Sequence, residues 1–289
     1  MLGQQNLTMI NQFCRQATPE EIAAYHHQLY PLQDIVFEVA SIFKDTIYLT
    51  GGTALARFHF DHRLSEDLDF FTQGSQLQYI ANELIARLQQ RTLTVAVEQL
   101  SAWFVRFFVA DQGIRLKVDM VRDTHLTGEL TRLSQGIYTN SLTDIGANKI
   151  TAFEDRAAIK DIVDLYYICQ DYDLPSLFAL ADQKRVPVAY EHLLTINQQG
   201  ISGSALLTKP LSDQAVGAFL TQLRLATEAE IEKKEQTAAQ ETEQIVAGLL
   251  WDYPPEARRI TTRSRPVLRQ RLPQLALPRR RVIEALLNA

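Results

Sequence analysis

The spacing of apolar residues along this chain changes period several times, and each change marks an element. Thr18-Pro19-Glu20-Glu21 reads as a helix start, with Thr18 as cap, Pro19 in the first turn and an acid at the third position. A helical pattern continues to about Lys44 and is interrupted near Pro31. Residues 46–50 read as a short strand, Gly51-Gly52 breaks it, and residues 53–60 return to helix. A second short strand carries Asp67, Leu68, Asp69 and Phe70. Ile80, Leu84, Ile85 and Leu88 share one face of a helix predicted over residues 76–91. Strands follow near 93–97, 103–110 and 114–121, with Asp111-Gln112-Gly113 as the hairpin turn between the last two. From Thr143 onward the pattern is helical, clearest over 144–154 and 159–171. After a break at 197–204, residues 212–250 read as one long helix or a helical pair, Glu-rich in the middle. The expected fold class is therefore α+β: a small mixed sheet with packed helices over roughly residues 36–125, followed by a helical lobe.

The chemistry is concentrated at the first two strands. Strand side chains alternate, so Asp67 and Asp69 point to one side and Leu68 and Phe70 to the other, toward the core. Two carboxylates side by side repel each other, and a divalent cation between them removes the repulsion. The glycines before them let the backbone approach a phosphate closely. Each part has a plainer reading, a turn for Gly-Gly and a solvated strand end for Asp-x-Asp. Their order, strand, Gly-Gly, helix, Asp-x-Asp and apolar strand, points to metal-dependent nucleotidyl transfer.

A third carboxylate supports this. In residues 114–121 the apolar Ile114, Leu116, Val118 and Met120 share one face, which leaves Arg115, Lys117 and Asp119 on the other. If that strand lies beside the first pair, Asp119 completes a three-carboxylate site that could hold two Mg²⁺ ions for in-line displacement at phosphorus. The plainer alternative is an exposed Lys117–Asp119 pair. Farther on, Lys149, Lys160, Asp161 and Asp164 belong either to a charged helix exterior or to a cleft wall with lysines on triphosphate oxygens, and spacing leaves both open.

Composition adds limits. The 289 residues carry a net charge of −5, so any nucleic-acid binding must come from a local patch. Cys14 and Cys169 are far apart and form no Cys-x-x-Cys motif, which argues against a disulfide framework and a thiolate zinc site. The first 18 residues lack a signal pattern, and no apolar run approaches a membrane span, so a cytoplasmic protein is expected. Nine arginines and no acid occur between Arg258 and Arg281, a stretch suited to an RNA backbone, to the chain's own acidic helix at 228–243, or to a partner. His59 and His62 are expected as solvated imidazoles at a loop or helix end.

The stretches Gly51-Gly-Thr-Ala-Leu55, Arg63-Leu-Ser-Glu-Asp-Leu-Asp-Phe70 and Lys149-Ile-Thr-Ala-Phe153, with Arg156 and Lys160-Asp-Ile-Val-Asp-Leu-Tyr166, resemble the AbiEii/AbiGii nucleotidyltransferase toxin family of the DNA polymerase beta-like superfamily. The resemblance spans roughly residues 40–172. It implies a polymerase-beta-like nucleotidyltransferase core at 36–140, behind an N-terminal helical segment at 1–35, and a helical C-terminal lobe at 141–289 with the Arg-rich tail. It implies an NTP substrate and Mg²⁺, or Mn²⁺ in its place. By position, it assigns Gly51, Gly52, Thr53, Lys117 and Lys160 to nucleotide binding, Asp67, Asp69 and Asp119 to metal, and Lys149 and Asp161 to catalysis. Many members have Gly-Ser at the turn; here Gly52 replaces the serine, and Thr53 is the candidate hydroxyl. The resemblance further implies a toxin of a bacterial toxin–antitoxin or phage-defence system, with an antitoxin partner and a tRNA 3′ end as acceptor. A protein or small-molecule acceptor, or a non-catalytic module retaining the fold, is the alternative.

Overall fold

The computed structural model describes residues 14–184, 190–196 and 201–288 of the chain. Two compact units divide at Thr227/Glu228, inside a long helix. The first 13 residues and residues 197–200, where part of the expected break falls, lie outside the described residues.

The first unit opens with a short strand, β1 (Cys14–Gln16), and a helical segment. Helix α1 (Pro19–Ala24) starts as its sequence predicts: Thr18 accepts from the Glu21 N–H, and the Glu21 carboxylate accepts from the Thr18 N–H. It continues into α2 (Tyr30–Ala40) without breaking. The expected interruption at Pro31 appears instead as a widened π turn over Tyr25–Leu29, where the Tyr30 N–H reaches back to the Tyr25 carbonyl. Proline lacks the N–H for the regular bond and crowds the carbonyl four residues earlier, and the wide turn accommodates both.

Strand β2 (Tyr48–Thr50) ends at Gly51, which begins α3 (Gly51–Ala54), continued by a π turn over Leu55–Phe60. Then come β3 (Leu68–Thr72), α4 (Leu77–Gln90), β4 (Thr94–Leu100), β5 (Phe104–Asp111) and β6 (Ile114–Arg122). The β5–β6 hairpin turns on Gln112 and Gly113, both with positive φ. Two further strands, β7 (Thr131–Arg132) and β8 (Tyr138–Thr139), complete a seven-stranded mixed sheet of order β4-β5-β6-β3-β2-β8-β7. β3 runs parallel to β6 and antiparallel to β2.

The alternation of β3, β5 and β6 gives this sheet two different faces. Leu68, Phe70, Val105, Phe107, Val109, Val118 and Met120 are buried on one, together with Leu84 and Leu88 of α4. The opposite face carries Asp69, Phe71, Asp119 and Val121. Helices α5 (Leu142–Arg156), α6 (Ile159–Ile168) and α7 (Leu174–Lys184) follow, with α6 and α7 both packed on α5. Gly146 of α5 meets Leu177 of α7 so closely that an added Cβ would lie 2.9 Å from Leu177 Cδ2. A one-turn helix, α8 (Glu191–Thr195), and strand β9 (Ala205–Leu207) come next. β9 pairs in parallel with β1 and also holds the segment before β3, through Leu64 N–H on the Leu206 carbonyl.

Helix α9 (Asp213–Leu249) is one long helix, the first of the two forms the sequence left open there. In the second unit α10 (Arg265–Arg271) and α11 (Leu277–Asn288) close a small core of Val246, Leu249, Leu250, Leu268, Leu272, Ile283 and Leu287. Much of the Arg-rich stretch serves that closure. Arg271 donates to the Leu249 carbonyl at 2.6 Å and pairs with Asp252, while Arg265 and Arg269 donate to the Leu287 carbonyl. These are carbonyls at helix C-termini, where cations are favoured. Arg258 donates to Trp251 and Tyr253 carbonyls, and Arg280 pairs with Glu284. Arg259, Arg263, Arg279 and Arg281 are exposed. No helix among the described residues is long and apolar enough to cross a membrane.

Candidate active site

The β2–Gly51 turn, the β3 and β6 strands and helix α5 enclose a cleft of about 410 Å³, within the ~300–1,000 Å³ usual for small-molecule sites. Gly51 has φ +72°, and a Cβ built on it would lie 2.6 Å from Asp69 Oδ2. Only glycine allows both the left-handed turn and the carboxylate at that spot. Gly52 is also fixed by contact, since its Cβ would meet an Arg63 guanidinium nitrogen at 2.2 Å.

Asp69 pairs in register with Asp119 on the neighbouring strand and with Thr50 on the other side. The expected third carboxylate is therefore brought beside the first pair. The three acids differ in their partners. Asp119, only 7% exposed, is clamped at both oxygens by the Arg106 guanidinium of β5, at 2.7 and 2.8 Å. Asp67 takes Lys117 Nζ at 2.7 Å, which also lies 3.8 Å from Asp119. Burial against Asp67 favours the neutral amine, but the hydrogen bond and charge of Asp67 outweigh it and raise the Lys117 pKa. Asp69 has no ion pair or hydrogen bond among the described residues, and the Thr50 hydroxyl beside it is buried without a partner. Burial, reinforced by the charges of Asp119 and Asp67, pushes the Asp69 carboxyl up to about 6.

Behind the turn lies a buried ionic network. Asp164 of α6 is its centre: one oxygen receives His62 Nε2 and Arg63 Nε, both at 2.7 Å, and the other receives an Arg63 NH2 at 2.8 Å and Lys149 Nζ at 2.6 Å. Burial alone would raise the Asp164 pKa, but Arg63 and Lys149 hold it well below the usual range. Lys149 also bonds Asp161 at 3.0 Å, and Arg156 grips Asp161 with two nitrogens. Burial works against the Lys149 charge; Asp164 and Asp161 overcome it and raise its pKa.

The expected site residues fall in different places. Thr53 is fully buried; its hydroxyl donates to the Asp67 carbonyl and accepts from the Ser65 hydroxyl, so it braces the strand rather than facing the cleft. Lys160 pairs with Glu66 at 3.1 Å and is not part of the cleft lining. Asp161 is fully buried and meets Lys149 and Arg156. His62, expected in solvent, is fully buried on Asp164. Burial lowers the pKa of its ring, outweighing the pull of Asp164. Lys149 does line the cleft, joined there by Arg156, Lys184, Asn148 and Asp123. Arg106 carries no motif-level signal, because register between β5 and β6 alone brings it to Asp119; Arg63 and Asp164 lie within the motif stretches, but only packing shows that they meet.

The family model "Nucleotidyl transferase AbiEii toxin, Type IV TA system" matches residues 34–242. The chain belongs to the AbiEii family. It is a nucleotidyltransferase, and the expected family and enzyme class are borne out. No curated protein matches. Among solved structures, MenT4, a nucleotidyltransferase toxin from Mycobacterium tuberculosis, is 18% identical, with 69% of this chain and 82% of that one covered at a TM-score of 0.53. That likeness shows the fold, a mixed α/β nucleotidyltransferase fold consistent with the core expected from the sequence. JHP933 from Helicobacter pylori is 17% identical over 78% of this chain and 98% of that one, and its TM-score of 0.48 is too low to support more. The AbiEii match ends inside α9, so α10 and α11 lie beyond it.

The AbiEii chemistry raises the question of a divalent cation. Among the described residues no group of three or more His, Cys, Asp or Glu side chains forms a ready-made metal site. Mg²⁺ asks for less: one or two carboxylates, with substrate phosphates and water completing its shell. Asp69, raised toward neutrality and without a cationic partner, with the partnerless Thr50 hydroxyl beside it, fits that demand. Asp119 fits it only after Arg106 releases an oxygen.

Proposed function

We propose that this cleft transfers a nucleoside monophosphate from an NTP to the 3′ end of an RNA, tRNA being the first acceptor to try, with an antitoxin as partner. The observation that carries the reading is the pairing of Asp69 with Asp119 directly beside the Gly51 turn, in a chain of the AbiEii family. Asp67 and Asp69 would hold Mg²⁺, or Mn²⁺ in its place, and Asp119 would join them. Bound there, the ion supplies neutralising charge at the triphosphate and acidifies the attacking hydroxyl.

The chain's own groups do the remaining work. Gly51 offers backbone to the phosphates at the cleft, and Gly52, packed on Arg63, holds the turn that presents it. Lys149 spends two of its three donors on Asp161 and Asp164, leaving one for a phosphate oxygen. Arg156, more than half exposed and steadied by Asp161, provides a second cation at the same wall. Lys117 and Arg106 balance Asp67 and Asp119 until substrate arrives.

Each of four α-labelled NTPs, incubated with Mg²⁺ and total tRNA, tests this. Label should appear on tRNA with the wild-type chain and vanish with Asp69→Ala. Label on protein or on a small molecule, with tRNA blank, would replace the acceptor. No transfer to any acceptor from whole-cell extract would overturn the proposal.

A further inference from the structure

We propose that the cleft beyond the aspartates is a nucleoside subsite, with Phe71 and Val121 as the floor under the base and the Asn148 amide as the group that chooses among bases. This rests on the nucleotidyl-transfer reading of the same cleft. Phe71 follows Asp69 by two residues on β3, and Val121 follows Asp119 by two on β6. The two are register partners, as the aspartates are, so all four side chains face the same way and line the same cavity. Two strand residues span about 6–7 Å, roughly one ribose. A base carried that far from the aspartates comes to lie on the apolar pair. Phe71 is braced edge-on by Tyr48, ring centroids 6.2 Å apart.

This floor is unsuited to phosphate, which needs cations and N–H groups. An aromatic base, with a π face to stack, gains from it. Among the polar side chains that line the same cleft, Asn148 is neutral, where Lys149, Arg156, Lys184 and Asp123 are charged. Asn148 Nδ2 is buried, lines the cleft and has no hydrogen-bond partner. A buried donor left unpaired is costly, and in a folded protein such a group calls for a ligand acceptor. Lys149, its chain neighbour, serves charge; Asn148, with a donor and an acceptor on one amide, is equipped to read the edge of a base.

The test is titration calorimetry of the four NTPs and of inorganic tripolyphosphate, with Mg²⁺, on the wild-type chain and on Phe71→Ala, Phe71→Leu and Asn148→Ala. Phe71→Ala should weaken all four NTPs by about tenfold, the loss expected for one stacked base, and leave tripolyphosphate unchanged. Phe71→Leu, which keeps an apolar floor, should lose less. Asn148→Ala should weaken the preferred NTP by about tenfold, as for one lost base-edge contact, and so narrow the spread among the four. Equal losses for tripolyphosphate, or an unchanged spread in Asn148→Ala, would overturn the subsite. Base-dependent binding without transfer to tRNA upholds the subsite and removes only the acceptor. Transfer to tRNA without base-dependent binding removes only the subsite.

Discussion

At the scale of single residues, the site depends on close contacts that admit one side chain each. Gly51→Ala adds a Cβ 2.6 Å from Asp69 Oδ2 and forces alanine into the left-handed region, at about 1–2 kcal/mol for the backbone alone. The variant should fold, by circular dichroism, yet lose nucleotide transfer, because the turn and Asp69 must separate. Asp164→Asn acts elsewhere. It leaves Arg63 and Lys149 buried against a neutral amide, and breaking such a pair costs about 3–5 kcal/mol. Urea denaturation should show that loss. The same network sets a pH dependence. His62 has a lowered pKa in the fold, so the unfolded chain takes up its proton first as pH drops. Stability should therefore begin to fall below about pH 6.5, the ordinary histidine value. Asp164 contributes in full above the ordinary carboxylate pKa, and its contribution is lost only as pH falls from about 4 toward its own lower value. Asp69, raised to about 6, works in the opposite sense as pH falls through that value, so the His62 decline is read as the difference between the urea midpoints of the wild-type chain and His62→Gln, and the Asp164 decline below about pH 4.

At the scale of elements, what the sequence revealed depended on length and period. The strands β4, β5 and β6 and helix α4 were legible because each repeats its pattern several times. β7 and β8 have two residues each, too few to show a period, and β1 and β9 have three. Asp67, Asp69 and Asp119 could be read as one set because their faces follow from alternation. Arg106 could not, since its claim on Asp119 depends on register between β5 and β6. The pairing of His62 with Asp164 joins residues 102 positions apart and has no local signature. The Thr53 hydroxyl could not be placed because nothing in Gly-Gly-Thr says which way the first helical turn rotates. Helix α5 offers a test of this kind of local reading. It ends at Ala157 in the left-handed conformation, φ 49° and ψ 44°. Glycine is the residue suited to that position, so Ala157→Gly should stabilise the protein by about 0.5–1 kcal/mol, seen as a higher Tm.

At the scale of the whole molecule, net charge and local charge point in different directions. The chain is acidic overall, yet Arg259, Arg263, Arg279 and Arg281 remain exposed after their neighbours have been used to cap helices and pair with acids. If RNA is the acceptor, these four are the candidates for its backbone. Replacing all four with glutamine should raise the KM for tRNA and flatten its dependence on salt, while the KM for NTP stays unchanged. An equal change in both would place them outside acceptor binding.

The Asp164 centre has a consequence for genetics. Three cations or donors, from the segment before β3 and from α5, converge on one carboxylate of α6. Weakening that single group should leave a chain that is sound in the cold and fails on mild warming. Such an allele would let nucleotide transfer be switched on at one temperature and off at another.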